Sequence, residues 1–216
     1  MSSLLDLYAL PPSQATYVIV DFETVTPAGR PAEPIELAAL RLHPGLQPDT
    51  SFRFARLISP PAGAPLTAFD TAQTGITQRD IDGQPVAEAV LADFDLLQTD
   101  AQVFVAQNAS YESNIFLRFS AACPRTANSP FIDTVALARL VLPDLRNHRL
   151  DTLAEHFRVP IPSNRHRALP DVQMTMGVFV ALLDLAIRSK LVHRVGDLVR
   201  VAGIAQKKTN AQPSLF

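Results

Sequence analysis

A single cysteine, Cys123, is all the thiol chemistry these 216 residues carry. That excludes an internal disulfide framework, fits a reducing cytosol and reads most simply as a small buried hydrophobe. A long apolar run is also missing. The longest, Val178 to Ile187, is interrupted by Asp184 and falls short of the roughly 20 residues a membrane span needs. The opening MSSLLDLYALPPSQ has neither a positive n-region nor a small-residue cleavage site, and Asp6 breaks its apolar stretch, so a loose arm is expected there rather than a signal peptide. There are no internal repeats. Nor is positive charge in excess: 19 Lys and Arg face 21 Asp and Glu, a net −2, which argues against the broad basic footprint of a protein that grips long duplex. The charge is uneven, because Arg188 to Phe216 holds six basic residues against Asp197 alone, +5, leaving −7 for the rest. An acidic body is expected of a chain that concentrates divalent metal.

What is present is enough apolar residue, 47% against 19% charged, for one well-packed domain and too little chain for two comfortable ones. Tyr17 to Val20 (YVIV) is a continuous β-branched run that reads as a buried central strand ending in Asp21 and Glu23. IELAALRL and FRFARLI read as two more strands, joined in a meander through the turn-rich HPGLQPD. PVAEAVLADFDLLQT has helical spacing with Pro85 suited to a first turn, QVFVAQ is a fourth strand, and SYESNIFLRFSAA a helix carrying Tyr111 and Glu112 at its start. From IDTVALARLVL through LDTLAEHF to DVQMTMGVFVALLDLAIRS the period is helical, with VPIPSN as the break before the last long helix. The expected division is an arm over 1–15, a folded domain over 16–190, a short helical extension over 191–205 and a flexible polar tail over 206–216.

Two acidic constellations stand out. Asp21 and Glu23, two apart on a strand, project from the same face while Phe22 points away; their mutual repulsion would be relieved by a cation. An isolated Asp-x-Glu is nevertheless more often a solvated strand end. Near the other end His166, Ala168 and Asp171 form His-x-Ala-x-x-Asp, with the aspartate in the first turn of the long helix, where Pro170 is tolerated because first-turn amides lack intrahelical partners. There the aspartate can ligate a metal and the histidine reach a water that the metal acidifies, although such a motif alone is more often a polar helix cap. Arg146, Arg149, Arg165 and Arg167 lie in helix-connecting loops, where solvated arginines outnumber phosphate contacts.

Taken in order, VIVDFET, VAQNASYESNIF and HRALPDV resemble the three motifs of the DEDDh (DnaQ-like) 3′-to-5′ exonucleases, the superfamily of the proofreading subunit of bacterial DNA polymerase III. QTGIT, the Ile132-Asp133-Thr134 segment and LDTLAEHF fall where such enzymes carry similar segments, so the resemblance runs from about Thr16 to Ile187. It implies an α/β fold with a ribonuclease H-like mixed central sheet flanked by helices. It also implies a two-metal hydrolysis that releases nucleoside 5′-monophosphates, with Asp21, Glu23, Glu112 and Asp171 around two Mg²⁺ ions, for which Mn²⁺ can substitute, and His166 as general base. Phe22, Thr24, Ile76, Thr77, Asn108 and Ala168 match places that face the terminal nucleotide. An enzyme that handles only the last nucleotides of a strand also needs few phosphate contacts, in keeping with the charge.

The middle motif departs from the family pattern His-Asn-Ala-x-Phe-Asp: Gln107 replaces the histidine, Tyr111 the phenylalanine and Glu112 the fourth acid. Gln107 reads as a support residue. Glu112 keeps the charge but is one methylene longer, which matters for an ion as demanding of geometry as Mg²⁺. The last five residues, QPSLF, resemble the peptide that binds the bacterial sliding clamp, with Gln212, Ser214, Leu215 and Phe216 matching and Pro213 departing. The readings are therefore a cytoplasmic DNA exonuclease of replication or repair acting on single-stranded 3′ ends, an exoribonuclease of the same superfamily, or a binding adaptor in which Glu112 has lost metal competence.

Overall fold

The computed structural model describes residues 4–99, 101–162 and 166–204. Along them run α1 (Leu4–Ala9), a 3-10 turn (Pro12–Gln14), β1 (Thr16–Val25), β2 (Glu33–His43), β3 (Gln47–Leu57), α2 (Ala68–Thr74), α3 (Gln78–Ile81), α4 (Ala87–Leu96) and β4 (Gln102–Ala106). There follow α5 (Ser110–Arg118), α6 (Pro124–Ala127), β5 (Phe131–Asp133), α7 (Thr134–Val141), α8 (Leu150–Phe157), α9 (Ala168–Arg188) and α10 (Val195–Ala202). The strands form one sheet in the order β3-β2-β1-β4-β5. β1 pairs antiparallel with β2, and β2 with β3, while β4 runs parallel to both β1 and β5. This is the expected mixed sheet with β1 at its centre.

β1 is apolar on both faces because both are covered. Tyr17 and Ile19 face a core that includes Val172, Phe179 and Leu182 of α9. Val18, Val20 and Phe22 face the opposite core with Phe94 of α4, Phe104 of β4 and Phe116 of α5. Phe22 meets Phe116 at a ring separation of 5.1 Å. Strand alternation then puts Asp21 and Glu23 on the α9 side, in line with Tyr17 and Ile19. β1 continues to Val25, so the acidic pair lies inside the strand rather than at its end, with an irregularity in the β2 pairing between Glu23 and Thr24.

Two elements depart from expectation. Phe131–Asp133, within a stretch of helical period, is a short strand; three residues are too few to show alternation, and Asp133 ends the strand while its carboxylate accepts from the Val135 amide to start α7. Residues 4–14 are packed rather than loose. Leu7 of α1 is buried, the Val195 amide of α10 donates to Leu10 O at 2.9 Å, and the Tyr17 hydroxyl donates to Pro12 O. Val195, Leu198 and Ala202 of α10 join the same core, so the helical extension is integral to the domain.

α9 has the length and hydropathy of a membrane-crossing helix, but 56% of its most apolar 18-residue window is buried inside the protein. Its inner face is the floor of the main core, where Phe179 meets Tyr17 edge-on at 4.9 Å. Replacing Phe179 by Ala should cost about 3–5 kcal/mol, read as a lower denaturation midpoint with an unchanged m-value.

Candidate active site

The sheet and α9 together build an acidic group. Asp21 and Glu23 come from β1, and Asp171 from the first turn of α9, which lies against β1 and β2. One carboxylate oxygen from each lies within 4.8 Å of the others. Residues 150 positions apart are thus brought together because α9 buries its apolar stripe on the face from which Asp21 and Glu23 project. Burial raises the pKa of Asp21 well above the usual carboxylate range, and the negative charges of Glu112, Glu23, Asp171 and Glu36 add to the shift.

Glu112 stands outside that close group but next to it electrostatically. It lies in the first turn of α5, 4% exposed. Burial pushes its carboxyl up to about 8, with Asp133 contributing, against a smaller opposing effect from its backbone amide. Its Oε2 is buried without a hydrogen-bond partner. An orphaned buried carboxylate oxygen facing further carboxylates is what a divalent cation would satisfy, so the residues present fit the family's divalent ions.

The middle motif is braced around this point. The Tyr111 and Thr24 hydroxyls are 2.6 Å apart, tying α5 to the end of β1. Gln107 donates to His148 O at 3.0 Å and accepts from the Thr134 hydroxyl, so it links β4 to the loop before α8 and to α7. Asn108 takes a left-handed backbone, φ 62°, which asparagine tolerates, and its amide donates to Asp133.

A cleft of about 390 Å³ opens beside Glu23, lined by Phe22, Thr24, Thr67, Phe69 and Thr74 among others. Phe69 on α2 is 74% exposed. α2 ends at Gly75, whose φ of +70° only glycine adopts freely, and the turn sends Ile76 inward and leaves Thr77 exposed. The Thr77 hydroxyl and amide both donate to Asp80.

Not every expected residue offers a surface. Ile76 is 1% exposed and packs with Val25 and Ile35, and Ala168 is fully buried with its amide donating to Glu36. Apolar packing on one and a position at the helix start on the other account for the burial. Phe22 is 6% exposed and is among the residues that line the cleft. Thr24 is half-buried at the cleft, and Thr77 and Asn108 are exposed. His166 is exposed, in a left-handed conformation of φ 65°, outside the close acidic group. The clamp-like residues Gln212, Ser214, Leu215 and Phe216 lie outside the described residues, as does Arg165.

Glu36 was missed. It is buried in β2, opposite Glu23, and pairs with Arg167, whose guanidinium is thus engaged within the protein rather than only solvated. The signal was available as a lone charge inside an otherwise apolar strand, IELAAL.

An exonuclease family model, RNase_T, matches residues 18–179. The chain is 38% identical over 168 residues to the DNA polymerase III PolC-type of Halalkalibacterium halodurans, covering 77% of the chain and 11% of that polymerase. It thus spans about a ninth of the relative's length. Among solved structures, the nuclease domain of 3′hExo, described as a DEDDh family member bound to rAMP, superposes with a TM-score of 0.66 at 20% identity, covering 81% of this chain and 94% of that one. E. coli Exonuclease I in complex with a dT13 oligonucleotide gives 0.66 at 21% identity, over 82% and 43%.

The raised carboxyls set a pH dependence. A carboxyl whose pKa is higher folded than unfolded contributes stability below its ordinary value that is lost as pH rises through the folded value. In chelator, the melting temperature should therefore fall between about pH 4.5 and about 8. The fall should shrink in Glu112→Gln and be offset by divalent metal; a flat profile for the chelated wild type would contradict the burial of these acids.

Proposed function

The chain belongs to the RNase_T exonuclease family, and from that premise we propose that it removes nucleotides one at a time from the 3′ end of single-stranded DNA, releasing nucleoside 5′-monophosphates. The observation that carries this reading is the convergence of Asp21, Glu23 and Asp171 within 4.8 Å beside a cleft of nucleotide size. We assign the metal set to these three with Glu112, whose buried oxygen lacks another partner. The all-oxygen donors suit Mg²⁺, with Mn²⁺ as substitute. When bound, the ions supply positive charge that acidifies water and offsets the charge growing on the leaving 3′ oxygen.

The chain's own residues then do the rest. His166, on the exposed lead-in to α9, takes the proton of the attacking water as the new phosphorus–oxygen bond forms and the bond to the 3′ oxygen breaks. Thr24, Thr77 and Asn108 offer hydrogen bonds to the terminal nucleotide, and Phe22 forms part of the apolar wall behind them. Phe69, large and exposed at the rim, suits stacking on a base, since every base presents a π-face. DNA is favoured over RNA because the curated relative is a DNA polymerase by name. The buried lone thiol of Cys123 needs no oxidising compartment, which supports a cytoplasmic setting.

One observation favours a second reading. Glu112 falls outside the close group, so a binding module that has lost metal competence stands as the rival. Digestion of 5′-labelled DNA and of the matching RNA, with Mg²⁺, Mn²⁺ or chelator, separates them. The expected result is a metal-dependent ladder shortening from the 3′ end of DNA, abolished in Asp21→Ala and slowed about 10²–10⁴-fold in His166→Ala. RNA digestion alone would reassign the substrate, and wild-type turnover in Asp171→Ala would sink the site assignment. Silence from the wild type with activity in Glu112→Asp would select the binding module.

For the tail we propose a bacterial sliding clamp as partner, with Leu215 and Phe216 entering an apolar pocket and Lys207 to Ala211 as tether. Deleting residues 212–216 should leave digestion of short single strands unchanged and remove clamp binding in a surface-plasmon assay; unchanged affinity would discard the partner.

A further inference from the structure

Glu36 is an acid that the proposed metal set does not use. It sits opposite Glu23 in the β1–β2 ladder and is 5% exposed. A carboxylate so placed must be paired and hydrogen-bonded to be tolerated. Both its oxygens are engaged: Oε1 accepts from Arg167 Nη2 at 2.7 Å, and Oε2 accepts from Arg167 Nε at 3.0 Å and from the Ala168 amide at 3.0 Å. The first two are the parallel bonds of a guanidinium fork.

The third bond reaches the start of α9. The first amides of a helix have no intrahelical partner, and α9 has no side-chain cap of its own, Arg167 being its N-cap residue. Glu36, from the adjacent strand, therefore does locally what an N-capping side chain would do. It holds Arg167 and the Ala168 amide, one and two positions after His166 and four and three before Asp171, so the same carboxylate pins the backbone between the proposed base and the metal ligand. Arg167 is also within electrostatic reach of Asp80, beyond the Gly75 turn, and of Glu23.

We infer that Glu36 and Arg167 form a positioning clamp that sets Asp171 against Asp21 and Glu23 and holds His166 at the mouth of the site, without either residue touching the strand. The inference rests on the exonuclease reading. A helix held only by its apolar stripe could slide or rotate by a fraction of a turn on the sheet; the fork and the amide bond remove that freedom where it would matter, at the first turn.

The test compares full-length wild type with Glu36→Gln and Arg167→Met, and with Leu198→Ala as a control that loosens the core at α10, which packs on α1, α7 and β5. Three readouts are taken on folded protein: hydrogen exchange of amides 167–172 in chelator, Mn²⁺ binding from the free-ion EPR signal, and kcat and KM on single-stranded DNA. Both clamp variants should lose exchange protection at the start of α9 and bind Mn²⁺ about 10–100-fold more weakly. Their kcat should fall by a similar factor with KM within about twofold, whereas Leu198→Ala, kept below its melting temperature, should leave the Mn²⁺ midpoint in place. An unchanged Mn²⁺ midpoint and exchange pattern in folded Arg167→Met would overturn the clamp. So would a raised KM at constant kcat, which would mean that Arg167 grips phosphate. The exchange and Mn²⁺ measurements need no turnover, so they decide the clamp even for a wild type that digests nothing, the result that would instead sink the exonuclease reading.

Discussion

Carboxylates that must stay close together repel, and the rest of this structure depends on a scaffold strong enough to hold them. A pair of like charges near 4 Å costs about 4 kcal/mol at an effective dielectric of 20, and Asp21, Glu23 and Asp171 form such pairs within 4.8 Å. The opposing force is the burial of α9 on β1 and β2, with Phe179 against Tyr17 and Leu182 and Val172 in the same core. A central strand covered on both faces is the least deformable place to mount two of these acids, and the first turn of the longest helix is a rigid place to mount the third. Cation binding then relieves a repulsion that folding has already imposed.

The aromatic side of the sheet plays a different part. Phe94, Phe104, Phe116 and Phe131 pack with ring separations between 5.0 and 6.2 Å, and α5 rests on them through Phe116. That packing fixes the helix carrying Glu112, so the longer side chain has to find its place within a frame that does not move for it. The outcome is a carboxylate that is buried, electrostatically coupled to Asp21, and short of a partner on Oε2. Gln107 is a strut between β4, α7 and the loop before α8. Both departures keep the architecture of the motif while shifting how charge is distributed in it.

Much of this was legible from residues alone. The YVIV run marked a central strand because only a strand covered on both faces is apolar at every position. The two-residue spacing of Asp21 and Glu23 fixed their common face, and the first-turn position of Asp171 followed from Pro170. β5 was hidden because three residues carry no period, and the packing of residues 4–14 was hidden because it depends on α10, some 190 residues away. The burial of Ile76 and Ala168 was hidden too, because a motif position does not reveal which way its neighbours pack.

The sequence by itself determined most of the element types, the chemistry of the acids and the family, since these rest on local periodicity and on motifs in a set order. Tertiary structure alone decided distances and pairings: that Asp171 reaches β1, that Glu112 stands beside rather than within the closest group, and that Glu36 takes Arg167 and the first amide of α9. Those are relations between segments far apart in the chain, 131 positions for Glu36 and Arg167, and no local pattern encodes them. They emerge only when apolar faces are buried against one another and the polar groups carried with them must find partners.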